Sequence, residues 1–251
     1  MAYGVGAYAE LPYASGPRAT GTADVLPWIS NLTGADTDTL TVGDGTNDFT
    51  SITGTLTYDT DITIAGSSVI HSIAAGTDSL GTCDFTERTT VYGRHLFYFD
   101  TALPTADTII LAGYDSGDTL AFSVTYDQSA VDLVDSEANV LYGTPAADTW
   151  YQILWEYSSG SYTITVYDIS GTSLGTSTDD HLLTDNLAYV DMGAQSVGTP
   201  TAVINSTLHA INSDAAYSAS NFAGGAIGPP ALPSVPNLPS LGPIDRRDWY
   251  S

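Results

Sequence analysis

Asp148-Thr-Trp150-Tyr-Gln152-Ile-Leu154-Trp155-Glu156-Tyr157-Ser-Ser159-Gly160-Ser-Tyr162-Thr-Ile164-Thr-Val166-Tyr167-Asp168 reads as two β-strands joined by a short polar turn. On the first strand Tyr151, Ile153, Trp155 and Tyr157 share one face, while Gln152 and Glu156 share the other. On the second, Tyr162, Ile164 and Val166 stand opposite Thr163 and Thr165. Side chains alternate along a strand with period two, so each strand has one face to bury. Ser158-Ser-Gly-Ser161 supplies the turn. A hairpin with this much aromatic surface is not stable alone and requires a second sheet to cover it.

The flanking sequence provides candidates for that sheet. Upstream, strand patterns fall at Thr39–Val42, Thr55–Tyr58, Asp61–Ile64, Ser68–Ile73, Val91–Phe99, Thr108–Leu111, Leu120–Tyr126, Val131–Val134 and Val140–Tyr142. The stretch from Ala74 to Arg88, with Gly76, Gly81, Cys83 and Asp84, reads as a connection. Downstream, strands are expected between Asp185 and Gly193, at Ala202–Ile204 and at Thr207–Ile211. About a dozen short strands, with turn residues between them and no helical period, predict an all-β fold: a two-sheet antiparallel jelly-roll sandwich. We place the sandwich at residues 37–218, between an N-terminal arm at 1–36 and a C-terminal arm at 219–251.

Composition agrees with this class. Of 251 residues, 43% are apolar and 16 are tyrosine, which favours strands and half-exposed surfaces. All five basic residues are arginine, against 29 acidic ones, for a formal net charge of −24. Such a surface repels nucleic acid and anionic membranes, so neither is expected as a partner. The single cysteine, Cys83, excludes an intrachain disulfide. No apolar run is long enough to span a bilayer, and the opening has neither the basic start nor the apolar stretch of a signal peptide. Synthesis in a host cytoplasm without membrane insertion is the expectation.

The two ends differ from the middle. Tyr3, Tyr8 and Tyr13 recur every fifth residue among Gly, Ala and Pro, a spacing that fits neither strand nor helix. This is the pattern of an extended arm that orders on another surface, with Trp28 pinning its end. Near the C-terminus Pro230, Pro233, Pro236 and Pro239 fall on every third residue. Leu232, Val235, Leu238 and Leu241 repeat the interval, giving one proline and one aliphatic stripe on a polyproline II helix. Arg246, Arg247 and Trp249 close the chain with residue types that dominate interfaces. Both arms are thus read as docking segments, in a homo-oligomer or multi-copy assembly.

The central domain resembles the laminin-G-like, or concanavalin A-like lectin/glucanase, superfamily. The residues that carry this are Thr149-Trp-Tyr151 through Trp155, then Gly160-Ser-Tyr162 through Tyr167-Asp168 and Gly171-Thr-Ser-Leu174, supported by Leu96–Phe99, Leu120–Val124 and Met192–Ser196. The Tyr-Gly opening is similar to those of minor tail proteins of bacteriophages that infect actinobacteria. The resemblances together imply a non-enzymatic virion protein, whether a minor tail protein or a capsid decoration or head-fibre protein. Its arms would attach to other virion proteins, and its sandwich would be displayed for host attachment. A second reading is a carbohydrate-binding module or adhesin for cell-surface glycan, and a third is a glycoside hydrolase.

The chemistry legible in the sequence is sparse. Only four glutamates exist (Glu10, Glu87, Glu137 and Glu156), and none begins the Glu-x-Asp-x-Glu run of this superfamily's glucanases. His71, His95, His181 and His209 are scattered without metal-ligand spacing, and no catalytic residue or cofactor is assigned. Calcium is the one metal the Asp-rich loops suit, with Asp115 and Asp118 as its named ligands, since some laminin-G-like domains bind it. Glycan would need an exposed aromatic platform, for which Tyr92, Tyr114, Tyr142 and Tyr157 are the candidates.

Overall fold

The computed structural model describes residues 26, 28–30, 32, 34–42, 49–64, 66–74, 76–180, 184 and 186–219, with backbone only at residue 180. In chain order the strands are β1 (Trp28–Ile29), β2 (Ser51–Thr53), β3 (Leu56–Asp59), β4 (Ser68–Ile73), β5 (Ser79–Arg88), β6 (Thr90–Phe99), β7 (Thr108–Tyr114) and β8 (Leu120–Asp127). They continue with β9 (Asp132–Asp135), β10 (Val140–Gly143), β11 (Trp150–Ser158), β12 (Ser161–Asp168), β13 (Ser173–Asp180), β14 (Leu187–Ser196) and β15 (Ala202–Asn212). The larger sheet runs β13-β12-β11-β6-β15-β4-β3, with β1 also on β15, and the smaller runs β10-β9-β8-β7-β14-β5-β2. All pairings are antiparallel. The fold is the expected two-sheet jelly-roll sandwich, with no helix among the described residues.

The β11–β12 hairpin sits where its aromatic face requires. Tyr151, Ile153, Trp155 and Tyr157 are all buried between the sheets, as are Tyr162, Ile164 and Val166. β11 pairs β12 on one side and β6 on the other, with Trp155 opposite Gly93. A side chain at Gly93 would overlap the Trp155 indole, so the glycine is the socket for that ring. Across the sandwich Trp155 meets Phe122 of β8 at 4.9 Å between ring centroids. The fully buried Tyr157 donates its hydroxyl to Thr184 O at 2.6 Å, which satisfies its one polar atom.

Four sequence readings are corrected. The stretch read as a connection after Ala74 contains β5, ten residues deep in the smaller sheet between β14 and β2. Its Gly81 is a packing glycine under the Phe49 ring, not a turn. Asp61–Ile64 is not a strand, because Asp59 Oδ1 accepts the N–H groups of Asp61 and Ile62 and turns the chain there. The two expected closing strands are one, β15, bulged between Thr207 and Ala210 with Leu208 at φ 51°. Trp28 and Leu32, assigned to the N-terminal arm, lie in the core, so the sandwich starts earlier than residue 37. β1 shares the β15 edge with β4, pairing Trp28 with Ile211.

Tyr3, Tyr8, Tyr13 and the C-terminal docking residues Pro230, Leu232, Pro233, Val235, Pro236, Leu238, Pro239, Leu241, Arg246, Arg247 and Trp249 lie outside the described residues. Among the described residues no helix is long and apolar enough to cross a membrane.

The Trp155 socket is testable. Gly93→Val should destabilise the protein by about 1–3 kcal/mol or more through overpacking. Tyr157→Phe, which removes only the hydroxyl, should cost about 1 kcal/mol. Urea unfolding followed by tryptophan fluorescence measures both.

Candidate functional site

The parity that buries Trp155 on β11 turns Trp150, Gln152, Leu154 and Glu156 to the outer face of the larger sheet. β6 presents Tyr92, Arg94, Leu96 and Tyr98 on the same side. The register sets them in rows: Glu156 beside Tyr92, Leu154 beside Arg94, Gln152 beside Leu96 and Trp150 beside Tyr98. β12 extends the rows with Thr163, Thr165 and Tyr167, and β15 adds Asn212, Ala210, Thr207 and Asn205. Within this face the Tyr98 and Trp150 rings lie 5.3 Å apart, both half-buried.

Arg94 is the unusual member. It stands on the outer face, yet it is only 6% exposed. Its Nη2 donates to Ser218 O at 2.7 Å, and its guanidinium lies 5.3 Å from the centre of the Tyr217 ring. The chain beyond β15 is brought back over the sheet by Asn212, whose Oδ1 accepts the N–H groups of Asp214 and Ala215 at 2.8 and 2.9 Å. Burial lowers the Arg94 pKa from its ordinary value, while Tyr217 acts in the opposite direction. Gln152, at 0% exposure, completes a recessed polar centre on this face.

Two features flank this centre. At the Tyr98 end Asp148 Oδ1 accepts from Tyr98 OH at 3.1 Å and from Thr101 N at 3.2 Å. Burial and the nearby Asp148 and Asp59 raise the Asp100 carboxyl. Beyond β15, at the β3–β4 end of the face, lies an open depression of about 420 Å³ lined by Thr55, Thr57, Ile70, Ser72, Thr77 and Asp78.

The sequence candidates are dispersed. Tyr92 lies on this outer face and is half-buried. Tyr157 is fully buried in the core, because it shares parity with Trp155, and cannot form part of an exposed platform. Tyr114 is 9% exposed on the smaller sheet, stacked 4.8 Å from Tyr189 and donating to Gln195 Oε1. Tyr142 packs against Tyr151. The four tyrosines therefore make no common platform. The proposed calcium ligands are also engaged elsewhere. Asp115 Oδ1 accepts from the backbone of Gly117 and Thr119, and Asp118 Oδ1 accepts from Tyr189 OH. No group of three metal-ligating side chains gathers among the described residues.

Sequence reading missed Arg94, Gln152, Trp150, Tyr98 and Tyr217. The signal for the first four was the parity already used for the core, read from its other side. Three of the histidines taken as scattered, His71, His95 and His209, prove to be fully buried, and His181 lies outside the described residues.

No family model matches the chain, and no curated protein matches it. Among solved structures it is similar to an alginate lyase from Corynebacterium sp., at 11% identity and TM-score 0.46, over 62% of this chain and 80% of that one. It is similar to alginate lyase A1-II′ at 10% identity and TM-score 0.45, over 63% of this chain and 83% of that one. It is also similar to a Trypanosoma rangeli sialidase, at 11% identity and TM-score 0.44, over 76% of this chain. It spans only 35% of that sialidase's length. At these identities the likeness concerns the fold. The three named here are two alginate lyases and a sialidase, and none of them is named as a virion component. The expectations of a tail, capsid-decoration or head-fibre protein, and of a chain that is not an enzyme, are withdrawn on that finding.

The face assignment predicts a contrast in stability. Trp150→Ala and Tyr98→Ala should each cost well under the about 3–5 kcal/mol expected for Trp155→Ala, whose ring fills the core. Denaturant midpoints of the three variants check it.

Proposed function

We propose that this protein is glycan-active and that its site is the outer face of the larger sheet, centred on Arg94. The observation that carries the reading is a guanidinium held on the solvent side of a sheet, yet recessed to 6% exposure among Gln152, Tyr217 and a row of aromatic and hydroxyl side chains. The core does not need a cation there. Saccharides present apolar ring faces and a fringe of oxygen atoms. Half-buried aromatics with a few fixed donors form a complementary surface. Trp150 and Tyr98 supply the apolar wall, Arg94 supplies the donor for hydroxyl or carboxylate oxygens, and the fully buried Gln152 forms the floor beneath it.

The register also favours a reaction class. Glu156 has Tyr92 and Thr163 as its cross-strand neighbours, so no second carboxylate stands beside it. Hydrolysis by paired carboxylates is therefore disfavoured on this face. A cation that stabilises a uronate carboxylate, with Tyr92 and Glu156 to move a proton, suits β-elimination instead.

The test is incubation of the full chain with a panel of neutral and uronate-containing polysaccharides. Ultraviolet absorbance of unsaturated ends, reducing-end release and calorimetric binding are read in parallel. Arg94→Met, with its fold verified by circular dichroism, should lose about 100-fold or more in turnover. Tyr92→Phe should lower turnover by about 10²–10⁴ while sparing binding. Because the chain carries a net charge of −24, association with an anionic chain should strengthen as salt is raised towards about 0.15 M, where the Debye length is about 8 Å. A panel that is neither bound nor cleaved, or an Arg94→Met variant equal to the wild type, overturns the reading.

A further inference from the structure

His71 of β4, His95 of β6 and His209 of β15 lie on the core face of the larger sheet, and each is fully buried. β6 and β15 place His95 and His209 side by side, with ring centroids 4.9 Å apart. His71 is anchored: its Nδ1 lies 2.9 Å from Ser79 O and its Nε2 lies 2.6 Å from Ser206 Oγ. The other two are not. Neither ring nitrogen of His95 or His209 has a hydrogen-bond partner among the described residues. Trp28 and Phe49 pack against His209, at 6.3 and 5.5 Å, and Phe97 stacks near His95. Two neighbouring imidazoles walled by aromatic rings have no acceptor among the described residues for the extra N–H that protonation would create.

The surrounding strands offer no counter-charge. The ionisable side chains turned into this core are Tyr58 of β3, Cys83 of β5, Tyr126 of β8, Tyr151 and Tyr157 of β11, and Tyr162 of β12. Burial raises Cys83 and Tyr151, so both stay neutral in acid. The buried carboxylates on the packed strands face elsewhere: Asp59 of β3 accepts from Asn205, and Asp191 of β14 accepts from Thr82. Arg94 of β6 is on the opposite face of the sheet. We propose that the three core histidines form an acid-triggered release: the sandwich is held closed while they are neutral and opens when the surroundings acidify.

The linkage has a definite sign. Burial pushes His71 down to about 4 and His95 to about 3, with His71 adding to the shift of His95, and it holds His209 well below its ordinary value. An unfolded histidine titrates near 6.5. The stabilisation is therefore complete above about 6.5 and is lost as pH falls from there towards the folded values, because the unfolded chain binds the protons first. Asp127 and Asp168 carry carboxyls held low by hydrogen bonds from Ser129 and Ser170. They add acid sensitivity only below the ordinary aspartate value of about 3.9. The net charge of −24 acts in the opposite sense, since mild acid relieves the repulsion between carboxylates.

The experiment is urea unfolding of the full chain from pH 7.5 to 4.5, in a His181→Asn background so that only the three core histidines titrate. The unfolding equilibrium constant should rise with falling pH, approaching about 10³-fold per pH unit near pH 5 for three protons. His95→Phe should reduce that slope towards about 10²-fold. If this variant does not fold, calorimetric unfolding of the parent at pH 5 in buffers of different ionisation enthalpy counts the protons directly. An uptake of about three sustains the proposal. Stability that stays flat or increases between pH 7 and 5, or an uptake near zero, overturns it.

Discussion

The contact between the Trp155 indole and the bare backbone of Gly93 sets the frame for the rest of the molecule. It locks β11 against β6 in one register, and a strand shifted by one residue would send every side chain to the other face. With Trp155 inside against Phe122, Tyr151, Ile153 and Tyr157 must follow it inward. Gln152, Leu154 and Glu156 must then face out, with Tyr92, Arg94 and Tyr98 alongside. Core and candidate site are thus two sides of the same pairing.

The polar groups are handled differently on the two faces. Outside, turn aspartates such as Asp115, Asp127 and Asp168 accept hydrogen bonds from their own loops, which lets an acidic chain spend its carboxylates on local structure. Arg94 is held by a backbone carbonyl and an aromatic face. Inside, the imidazoles of His95 and His209 are packed as if they were aromatic hydrocarbons. They are tolerated because a neutral ring costs far less to bury than a charged one. The same economy makes the core sensitive to protons.

Much of the architecture was legible because strand patterning is a short-range property. The β11–β12 hairpin, β6, β8 and the β14 region follow from alternation alone. β5 was missed because Gly81, Cys83 and Asp84 carry turn-like chemistry, whereas Gly81 exists to admit Phe49. β13 was missed because an edge strand rich in Ser, Thr and Gly has no apolar alternation to give it a period, although Ser177 on it is buried. The tyrosines picked for an exposed platform failed on exposure: Tyr157 and Tyr114 look alike in sequence to Tyr92 but are covered in the fold.

The amino-acid sequence determined the all-β class, the inward face of the central hairpin and the lack of a disulfide within these 251 residues, since each depends on residue type and on neighbours one or two positions away. The tertiary structure decided everything that depends on which strands meet. It joined Arg94 to Ser218 across more than a hundred residues, placed Trp28 on the last strand, and brought His95 beside His209. Antiparallel pairing sets contacts by register between strands that are far apart in the chain, and no local pattern encodes that distance.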